Sequence, residues 1–469
     1  MFFLLYLEYP LILRLTGDLK TLDESYRIIL GGPEVSYTTA EILGRNPQID
    51  YILCGEGEQT LQLLLSRLNH GEVVVAERSD EHDGHWNGIA SSVHPHAAYV
   101  IAERLNEIPS PYTDEMLARI GGRIVYYEST RGCPFSCSYC ISSTFDGVRY
   151  FPESRIRADL ERLVSAGTPV IKFVDRTFNC NKRHMLSVFS ILTELMRGLL
   201  IKPVVHFEVS PGLFDEEIFA AIEHLCGAIC VQFEIGLQSL HQATLDEIKR
   251  PGDLPTAIRN IQRLLRIPNL HIHLDLIAGL PFEDLKTFMR TFDMVFHLYP
   301  QQLQCGFLKL LKGSLLREEA DKHRYRYLKH APYEVLSNQY LNFGEICVIK
   351  KVAFLVDKLY NSARFHLTIR YFTKHLYQSP FAFFLALSAD ARLAQGNSMD
   401  SNIAGSTDNG NLGGMRSTFR AGLFYEILAD FADRFDDSAA DVVKCLLCFD
   451  YFCAGGRGAF PDALSDIVF

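Results

Sequence analysis

The chain has 469 residues, of which 48% are hydrophobic and 22% are charged, and its formal net charge is −10. This composition is typical of a globular α/β protein with several domains, and it excludes a disordered or fibrous chain. The acidic excess argues against a broad nucleic-acid-binding face and favours small molecules or protein partners.

The first segment, MFFLLYLEYPLILRL, is apolar but carries Glu8, Pro10 and Arg14. These residues interrupt it before the roughly 20 apolar residues that span a bilayer. It also lacks the basic start and the small-residue cleavage site of a signal peptide. The 12 cysteines are spread along the chain, which favours reduced thiols or metal ligands over a disulfide framework. We therefore predict a cytoplasmic protein without a membrane segment.

Residues 1–70 alternate apolar strands with helices. YRIILGG and DYILCGEGE have the pattern of buried strands that end in glycine turns, and TLQLLLSRLN has the pattern of a following helix. The alternation predicts part of a doubly wound α/β domain. The polar, proline-punctuated residues 71–120 are predicted to be a linker.

Strands and helices alternate six times in residues 121–330, which predicts a partial (β/α)6 barrel. The six predicted strands are RIVYYEST, PVIKFVD, PVVHFEVS, AICVQFEIGLQS, LHIHLDLIAGL and QQLQCGFLK. Polar residues recur at every second position of the middle strands: His206 and Glu208; Gln232, Glu234, Gly236 and Gln238; His271, His273 and Asp275. Because a structural barrel core is filled with aliphatic residues, this polar lumen implies a bound polar ligand.

Residues 331–469 are rich in aromatic residues and predict a mainly helical third domain. Its segment 395–415 is rich in Gly, Asn and Ser and predicts a disordered insertion. Cys445, Cys448 and Cys453 lie in the apolar run CLLCFDYFC, where a core helix is favoured over a second metal cluster.

The segment RGCPFSCSYC places Cys133, Cys137 and Cys140 within eight positions and supplies no fourth cysteine nearby. A structural zinc site uses four ligands, and ferredoxin-type loops also bring a fourth cysteine. Three thiolates can instead hold a 4Fe-4S cluster with one iron left open for a ligand. The loop follows the first barrel strand, at the end where barrel enzymes keep their active sites.

With this loop and the strand motifs after it, residues 121–330 resemble a radical S-adenosylmethionine (SAM) enzyme. The resemblance implies that the open iron binds SAM, and that reductive cleavage of SAM gives a 5′-deoxyadenosyl radical that attacks a substrate in the lumen. It also implies an electron donor such as flavodoxin or ferredoxin. The substrate stays unidentified.

The resemblance also implies which residues contact SAM. Tyr139 takes the aromatic position beside the adenine. FVDRTFN supplies Asp175 and Asn179 where the family commonly has a GGE-like segment, so this sequence departs from the pattern there. The remaining candidates at strand ends are Glu208, Glu234, Gln238, Ser239, Asp275 and Gly279.

IILGGPEVSY and the following DYILCGEGE resemble the second half of the cobalamin-binding domain that precedes many radical SAM barrels. The first half and its DxHxxG histidine are expected to be absent, since the first histidine is His70. Either cobalamin binds without a protein histidine, or the domain is a remnant, or the chain is a shortened form. GFLKLLKGSLLREEA and the residues after it resemble the C-terminal domain of unknown function in this branch.

Two reaction types and two other classes of protein stay open. The radical acts directly, or it serves cobalamin-dependent methyl transfer. A non-catalytic protein could keep the cluster as a redox sensor. A zinc-dependent barrel hydrolase would use His271 and His273.

Overall fold

The computed structural model describes residues 2–3, 9–70, 88–102, 104–120, 122–144, 147–250, 252–396, 421–455 and 461–464. Within these residues, no helix is long and apolar enough to cross a membrane.

The N-terminal domain is a four-stranded sheet in the order β1-β2-β3-β4, with β1–β3 parallel and β4 antiparallel to β3. Its elements are β1 (Phe2–Phe3), α1 (Tyr9–Leu22), β2 (Ile29–Gly31), α2 (Pro33–Ser36), α3 (Thr39–Arg45), β3 (Tyr51–Leu53), α4 (Gly57–Asn69) and β4 (Ile89–Ser91). Strand β4 lies in the segment 71–120 that we predicted to be a linker. The sheet therefore extends past residue 70, because the apolar Ile89 and Ala90 are buried in it.

The central domain holds six parallel strands in the order β12-β11-β10-β9-β8-β5, which confirms the partial barrel. The strands are β5 (Ile124–Tyr127), β8 (Val170–Phe173), β9 (Val204–Glu208), β10 (Val231–Gln238), β11 (Leu270–Ala278) and β12 (Gln302–Phe307). A short hairpin, β6 (Thr130–Gly132) and β7 (Val148–Tyr150), follows β5. The helices are α5 (Asp114–Ile120), α6 (Glu153–Ser165), α7 (Lys182–Leu195), α8 (Glu216–Ala228), α9 (Gln242–Glu247), α10 (Leu254–Leu264), α11 (Leu285–Phe296) and α12 (Leu315–Glu318).

Strand β10 shows why the barrel has a polar lumen. Its residues alternate strictly between buried and half-buried. Val231, Phe233, Ile235 and Leu237 pack into the core. The alternate positions, Gln232, Glu234, Gly236 and Gln238, share the other face. The predicted polar face of this strand is therefore present.

The C-terminal domain is mainly helical and continues the hydrophobic core of the barrel. After the hairpin β13 (Arg326–Tyr327) and β14 (Val335–Ser337) come α13 (Phe343–Leu355), a π-helical turn (Val356–Tyr360), α14 (His366–Tyr371), a second π-helical turn (Phe372–Leu376), α15 (Pro380–Leu387), α16 (Ala391–Gly396), α17 (Ala421–Ala432) and α18 (Asp437–Cys453). Phe292 of α11 packs edge-to-face on Phe381 of α15, with ring centroids 5.5 Å apart. The N-terminal domain has two hydrophobic cores of its own, which are separate from the core that the barrel shares with the C-terminal domain.

Two predictions for the C-terminal domain have different outcomes. The insertion 395–415 lies outside the described residues, apart from 395 and 396 at the end of α16. The three cysteines of CLLCFDYFC lie on helix α18, where Cys448 is buried while Cys445 and Cys453 are exposed. Cys448 packs in the hydrophobic core that the barrel shares with the C-terminal domain, which favours the core helix.

Candidate active site

The hairpin β6–β7 carries the three-cysteine loop between its strands. Gly132 has φ +98°, and a Cβ at this position would lie 2.3 Å from the carbonyl oxygen of Gly147, so only glycine fits. Cys137 is buried, and Cys133 and Cys140 are half-buried. The loop thus holds three thiols in partly covered positions at the carboxyl end of the barrel strands.

A cavity of about 230 Å³ lies between this loop and the strand ends. All three cysteines line it. The other lining residues come from the loop and from the carboxyl ends of the strands: Phe135, Tyr139, Ser142, Arg176, Thr177, Glu208, Val209, Ser210, Glu234, Gly236, Gln238, Arg250 and Asp275. The structure therefore brings together eight of the twelve predicted site residues around one small space.

Arg250, just after α9, is a cavity residue that the sequence analysis did not single out. Its Nη1 lies 3.8 Å from Cys137 Sγ and 3.3 Å from the Tyr139 hydroxyl oxygen, and its Nη2 donates to the carbonyl oxygen of Gly236. Burial raises the pKa of the Cys137 thiol, and the Arg250 charge opposes this shift. Arg250 therefore favours a thiolate at Cys137. The sequence gives little indication of this role for Arg250, because a lone arginine after a short helix belongs to no motif with a distinctive spacing.

Glu234 is the centre of the charged groups in the lumen. Its Oε2 lies 3.3 Å from Lys172 Nζ and 3.1 Å from His206 Nε2. Burial acts to raise the pKa of Glu234, but His206, Lys172 and His273 together lower it to about 2. Glu234 is therefore ionised at neutral pH. Burial and the Glu234 charge raise the pKa of the neighbouring Glu208 to about 7, so this carboxyl group titrates near neutrality.

Two buried acceptors face this space. Gln238 Oε1 has no hydrogen-bond partner among the described residues. Asp275 Oδ1 has a single contact there, with His273 Nε2 at 3.1 Å. Gln238 also has φ +68° at a bulge that ends β10, a strained conformation that non-glycine residues seldom adopt. Buried acceptors without partners cost stability unless a ligand supplies donors, so this geometry fits a polar ligand beside the cysteines.

Four predicted SAM contacts do not line either of the two cavities at the strand ends. Asp175 accepts hydrogen bonds from Ser129 N at 3.2 Å, Ser129 Oγ at 2.7 Å and Thr130 Oγ1 at 2.5 Å. Asn179 exchanges two hydrogen bonds of 2.8 Å with the backbone of Ser210. Both residues therefore hold neighbouring segments in place.

The other two residues outside the cavities are Ser239 and Gly279. Ser239 Oγ donates to Glu283 Oε1 at 2.5 Å. The Gly279 carbonyl oxygen accepts from the Tyr325 hydroxyl at 3.0 Å and from Asn338 Nδ2 at 2.9 Å. After β8, the second strand of the barrel, the side chains that reach the cavity are those of Arg176 and Thr177, which the sequence analysis did not name.

A larger cavity of about 920 Å³ adjoins the first and shares Tyr139, Glu234, Gln238 and Asp275 with it. Its walls come from β11, β12 and the C-terminal domain. The C-terminal domain contributes Leu328, Pro332, Glu334, Lys350, Ala353, Phe354, Asp357, Asn361 and Ser362. Gln302 Oε1 on β12 is another buried acceptor without a hydrogen-bond partner among the described residues. This space can accommodate a second molecule next to the cysteine cavity.

The histidines proposed for a zinc hydrolase do not converge. His271 is exposed at the start of β11, whereas His273 is buried and contacts Asp275. Neither belongs to a group of three or more potential metal ligands within the described residues. The geometry does not support the zinc hydrolase.

The loops at the carboxyl ends of β2 and β3 are where a doubly wound domain would hold cobalamin. Gly55 forms a bridge with Val100, and a Cβ on Gly55 would lie 2.1 Å from the Val100 carbonyl oxygen. The buried Glu34 pairs with Lys312 Nζ at 2.7 Å. These two turns therefore make close contacts within the chain itself.

Residues 127–295 match the radical SAM superfamily, and residues 321–398 match a family described as a protein of unknown function, DUF4080. The chain is 24% identical over 276 residues to the cobalamin-dependent radical SAM methyltransferase TokK of Streptomyces tokunonensis, covering 56% of this chain and 39% of that protein. It is 26% identical over 271 residues to an uncharacterized methyltransferase of Pyrococcus horikoshii, covering 56% of each. The match thus spans about half or less of these relatives.

Solved structures share the fold at low sequence identity. The cobalamin-dependent SAM radical enzyme OxsB superposes with a TM-score of 0.59 and 14% identity over 98% of this chain and 73% of that chain. The radical SAM methyltransferase TsrM of Kitasatospora setae gives 0.53 and 16% over 66% and 61%. At these identities the likeness establishes the architecture alone, and it agrees with the partial barrel and its flanking domains.

Proposed function

Because residues 127–295 form a radical SAM domain, we propose that the chain is an iron-sulfur enzyme that cleaves SAM reductively. A 4Fe-4S cluster would be held by Cys133, Cys137 and Cys140. SAM would occupy the smaller cavity, which these cysteines line. The observation that carries this proposal is the three partly covered thiols on one cavity, together with the buried Gln238 Oε1, which has no hydrogen-bond partner among the described residues. When bound, the cluster and SAM supply one-electron cleavage of the sulfonium and abstraction of a hydrogen atom from the substrate.

The chain's own residues would bind and orient these groups. Arg250 places a positive charge beside Cys137 and fixes Tyr139 through its hydroxyl. Gln238 and Asp275 offer acceptors to the hydroxyl or amino groups of SAM. Glu208 and Glu234 lie on the same side of the cavity, and Lys172 and His206 keep Glu234 ionised. A buried, pre-oriented polar site needs little rearrangement when the ligand binds.

We propose that the substrate binds in the larger cavity between the barrel and the C-terminal domain. The four residues shared by both cavities would bring a substrate next to SAM. The DUF4080 domain would then determine specificity through Lys350, Glu334 and Phe354. The substrate stays unidentified, and so does the electron donor, for which we keep flavodoxin or ferredoxin as the prediction.

The test is anaerobic reconstitution with iron and sulfide, followed by dithionite and SAM. We expect 5′-deoxyadenosine and methionine from the wild type and neither above background from Cys133→Ala. A Cys230→Ala variant is the matched control, since this exposed cysteine lies at the opposite end of β10. Equal product from wild type and Cys133→Ala would refute the proposal. A reconstituted cluster without SAM cleavage or SAM binding would favour the redox sensor.

Cobalamin-dependent methyl transfer is a second candidate function. The cobalamin-dependent methyltransferase TokK supports it by its named activity, TsrM is named as a methyltransferase, and OxsB is named as cobalamin-dependent. Gly55 and Glu34 contact other parts of the chain, and we derive no step through cobalamin. Methyl transfer predicts bound corrinoid and S-adenosylhomocysteine among the products, and turnover by a cobalamin-free preparation would exclude it.

We also propose a cytoplasmic location. All 12 cysteines lie within the described residues, and none of them forms a disulfide. Cysteines outside disulfides in this number are typical of a reducing compartment.

A further inference from the structure

The loop after β3 in the N-terminal domain reaches the hairpin that carries the cluster loop. Glu56 in this loop has a side chain that is only 17% exposed. Its Oε2 accepts hydrogen bonds from Arg131 Nη1 at 3.1 Å, Arg149 Nη1 at 3.0 Å and Ala102 N at 2.7 Å, and its Oε1 pairs with Arg149 Nη2. Both carboxylate oxygens are therefore used, and the two arginines belong to another domain.

Arg131 and Arg149 are direct partners across the hairpin, one on β6 and one on β7. Arg131 directly precedes Gly132 and Cys133, and Arg149 lies on the strand that ends the cysteine loop. Their side chains are 15% and 24% exposed, so solvent does little to screen the pairs. A charge that bridges both strands at their middle pair, one residue from the loop, fixes the spacing of the two ends of the loop.

Arg131 is held by two further carboxylates. Its Nη2 donates to Glu58 Oε1 at 2.6 Å, and its Nε donates to Glu128 Oε2 at 2.8 Å. Glu58 is the more exposed of the two N-terminal acids and contacts only one of the two arginines in the described structure. Glu56 is thus the residue that joins both strands, and Glu58 offers a weaker version of the same contact.

A second buried carboxylate, Glu34, allows a test that distinguishes positioning of the cysteine loop from docking of the N-terminal domain. Glu34 also links the N-terminal domain to the rest of the chain, through Lys312 at 2.7 Å and the Tyr333 hydroxyl. None of its described contacts involves the hairpin β6–β7 or the cysteine loop. Loss of Glu34 should weaken docking, whereas loss of Glu56 should weaken docking and release the loop.

We propose that Glu56 is a positioning residue that holds the three-cysteine loop in its binding geometry through Arg131 and Arg149. On this basis the N-terminal domain of this chain supports the cluster site directly, through the turn after β3 that resembles part of a cobalamin-binding domain. Only the iron-loading part of the test rests on the proposed function.

The first experiment measures thiol accessibility in the iron-free full-length chain. Each cysteine is labelled with an alkylating reagent, and its rate is read by mass spectrometry. We expect Glu56→Gln and Arg149→Gln to speed labelling of Cys133, Cys137 and Cys140 about tenfold, the usual size of a lost buried charge contact. The buried Cys226 and Cys448, in other parts of the molecule, should keep their rates.

Two variants serve as controls. Glu34→Gln tests docking alone, and Glu41→Gln removes an exposed pair with Arg45 that touches neither interface. Neither should speed labelling of the three loop cysteines. The effect of the double variant Glu56→Gln/Arg149→Gln should be smaller than the product of the two single effects, since both substitutions remove the same Glu56–Arg149 pair. Glu58→Gln should give a smaller acceleration and keeps the test usable if Glu56→Gln fails to fold.

Three results would overturn the proposal: unchanged labelling of the loop in Glu56→Gln, equal acceleration of all buried cysteines, or the same loop-specific acceleration in Glu34→Gln. The second experiment measures iron and sulfide bound per chain after reconstitution, where we expect at least a twofold loss in Glu56→Gln and none in Glu41→Gln. Iron absent from the wild type would count against the proposed function, while the labelling result would still judge Glu56.

Discussion

The role of Asp175 predicted from the sequence differs from the role that the structure indicates. The sequence predicts that this carboxylate contacts SAM. In the structure it is fully buried and holds Ser129 and Thr130, at the start of the cluster hairpin, with three hydrogen bonds. From the structure we predict that Asp175→Ala destabilises the iron-free chain.

The size of this effect follows from the groups left without a partner. Ser129 Oγ keeps a contact with His184 Nε2 at 2.9 Å, so the variant orphans mainly Ser129 N and Thr130 Oγ1. At about 1–3 kcal/mol for each unsatisfied buried group, the gross cost is about 2–6 kcal/mol. Burial raises the pKa of Asp175, so removing the carboxylate returns part of its own desolvation cost, and we expect a net loss of about 2–4 kcal/mol.

Thermal unfolding of the iron-free protein measures this loss. An unfolding entropy of about 2.1 cal/mol/K per residue gives about 1 kcal/mol/K for a chain of this length, so Tm should fall by about 2–4 °C. Asp175→Asn keeps an acceptor oxygen and should lose about half as much. Asp114→Asn is the control, since its side chain is 91% exposed.

SAM binding to the reconstituted variant, normalised to bound cluster, decides between the two assignments. The structural role leaves the Kd within about twofold of the wild type. An unchanged Tm together with a tenfold weaker Kd for SAM would refute our reasoning and restore Asp175 as a SAM contact.

Three further predictions concern other groups of the site and the fold. The pKa of Glu208 is raised to about 7 from an ordinary value of 4.5, so its contribution to stability is greatest below pH 4.5 and is lost as the pH rises to about 7. Glu208→Gln should therefore raise Tm at pH 8 relative to the wild type and leave it unchanged near pH 4; equal pH profiles would contradict this. Gln238→Gly should relieve the strain of φ +68° and raise Tm slightly. It should also weaken SAM retention by about tenfold, since an acceptor on the cavity is lost, and unchanged retention would show that Gln238 does not contact SAM. Combined serine substitution of Cys445, Cys448 and Cys453 should lower Tm through the buried Cys448 but leave iron per chain unchanged, and a loss of about four irons would instead establish a second cluster.

The sequence by itself determined the cluster loop and the barrel. Short-range spacing identifies Cys133, Cys137 and Cys140, because three cysteines within eight positions lie on one loop, and in the structure all three line one cavity. Residues that alternate in β10 are fixed on one face by the geometry of a strand, so Glu234 and Gln238 were predicted on the lumen side. Periodicity and local spacing act within a few residues and can be read directly from the chain.

Only the tertiary structure decided which strand-end residues reach the cavity. Asp175 and Arg176 are neighbours in sequence, yet one is buried against Ser129 and the other lines the cavity. Arg250 contacts Cys137 across more than a hundred residues, and Glu56 reaches Arg149 from another domain. Such contacts depend on how separate elements pack, and a single buried charge is placed by that packing rather than by its neighbours in the chain.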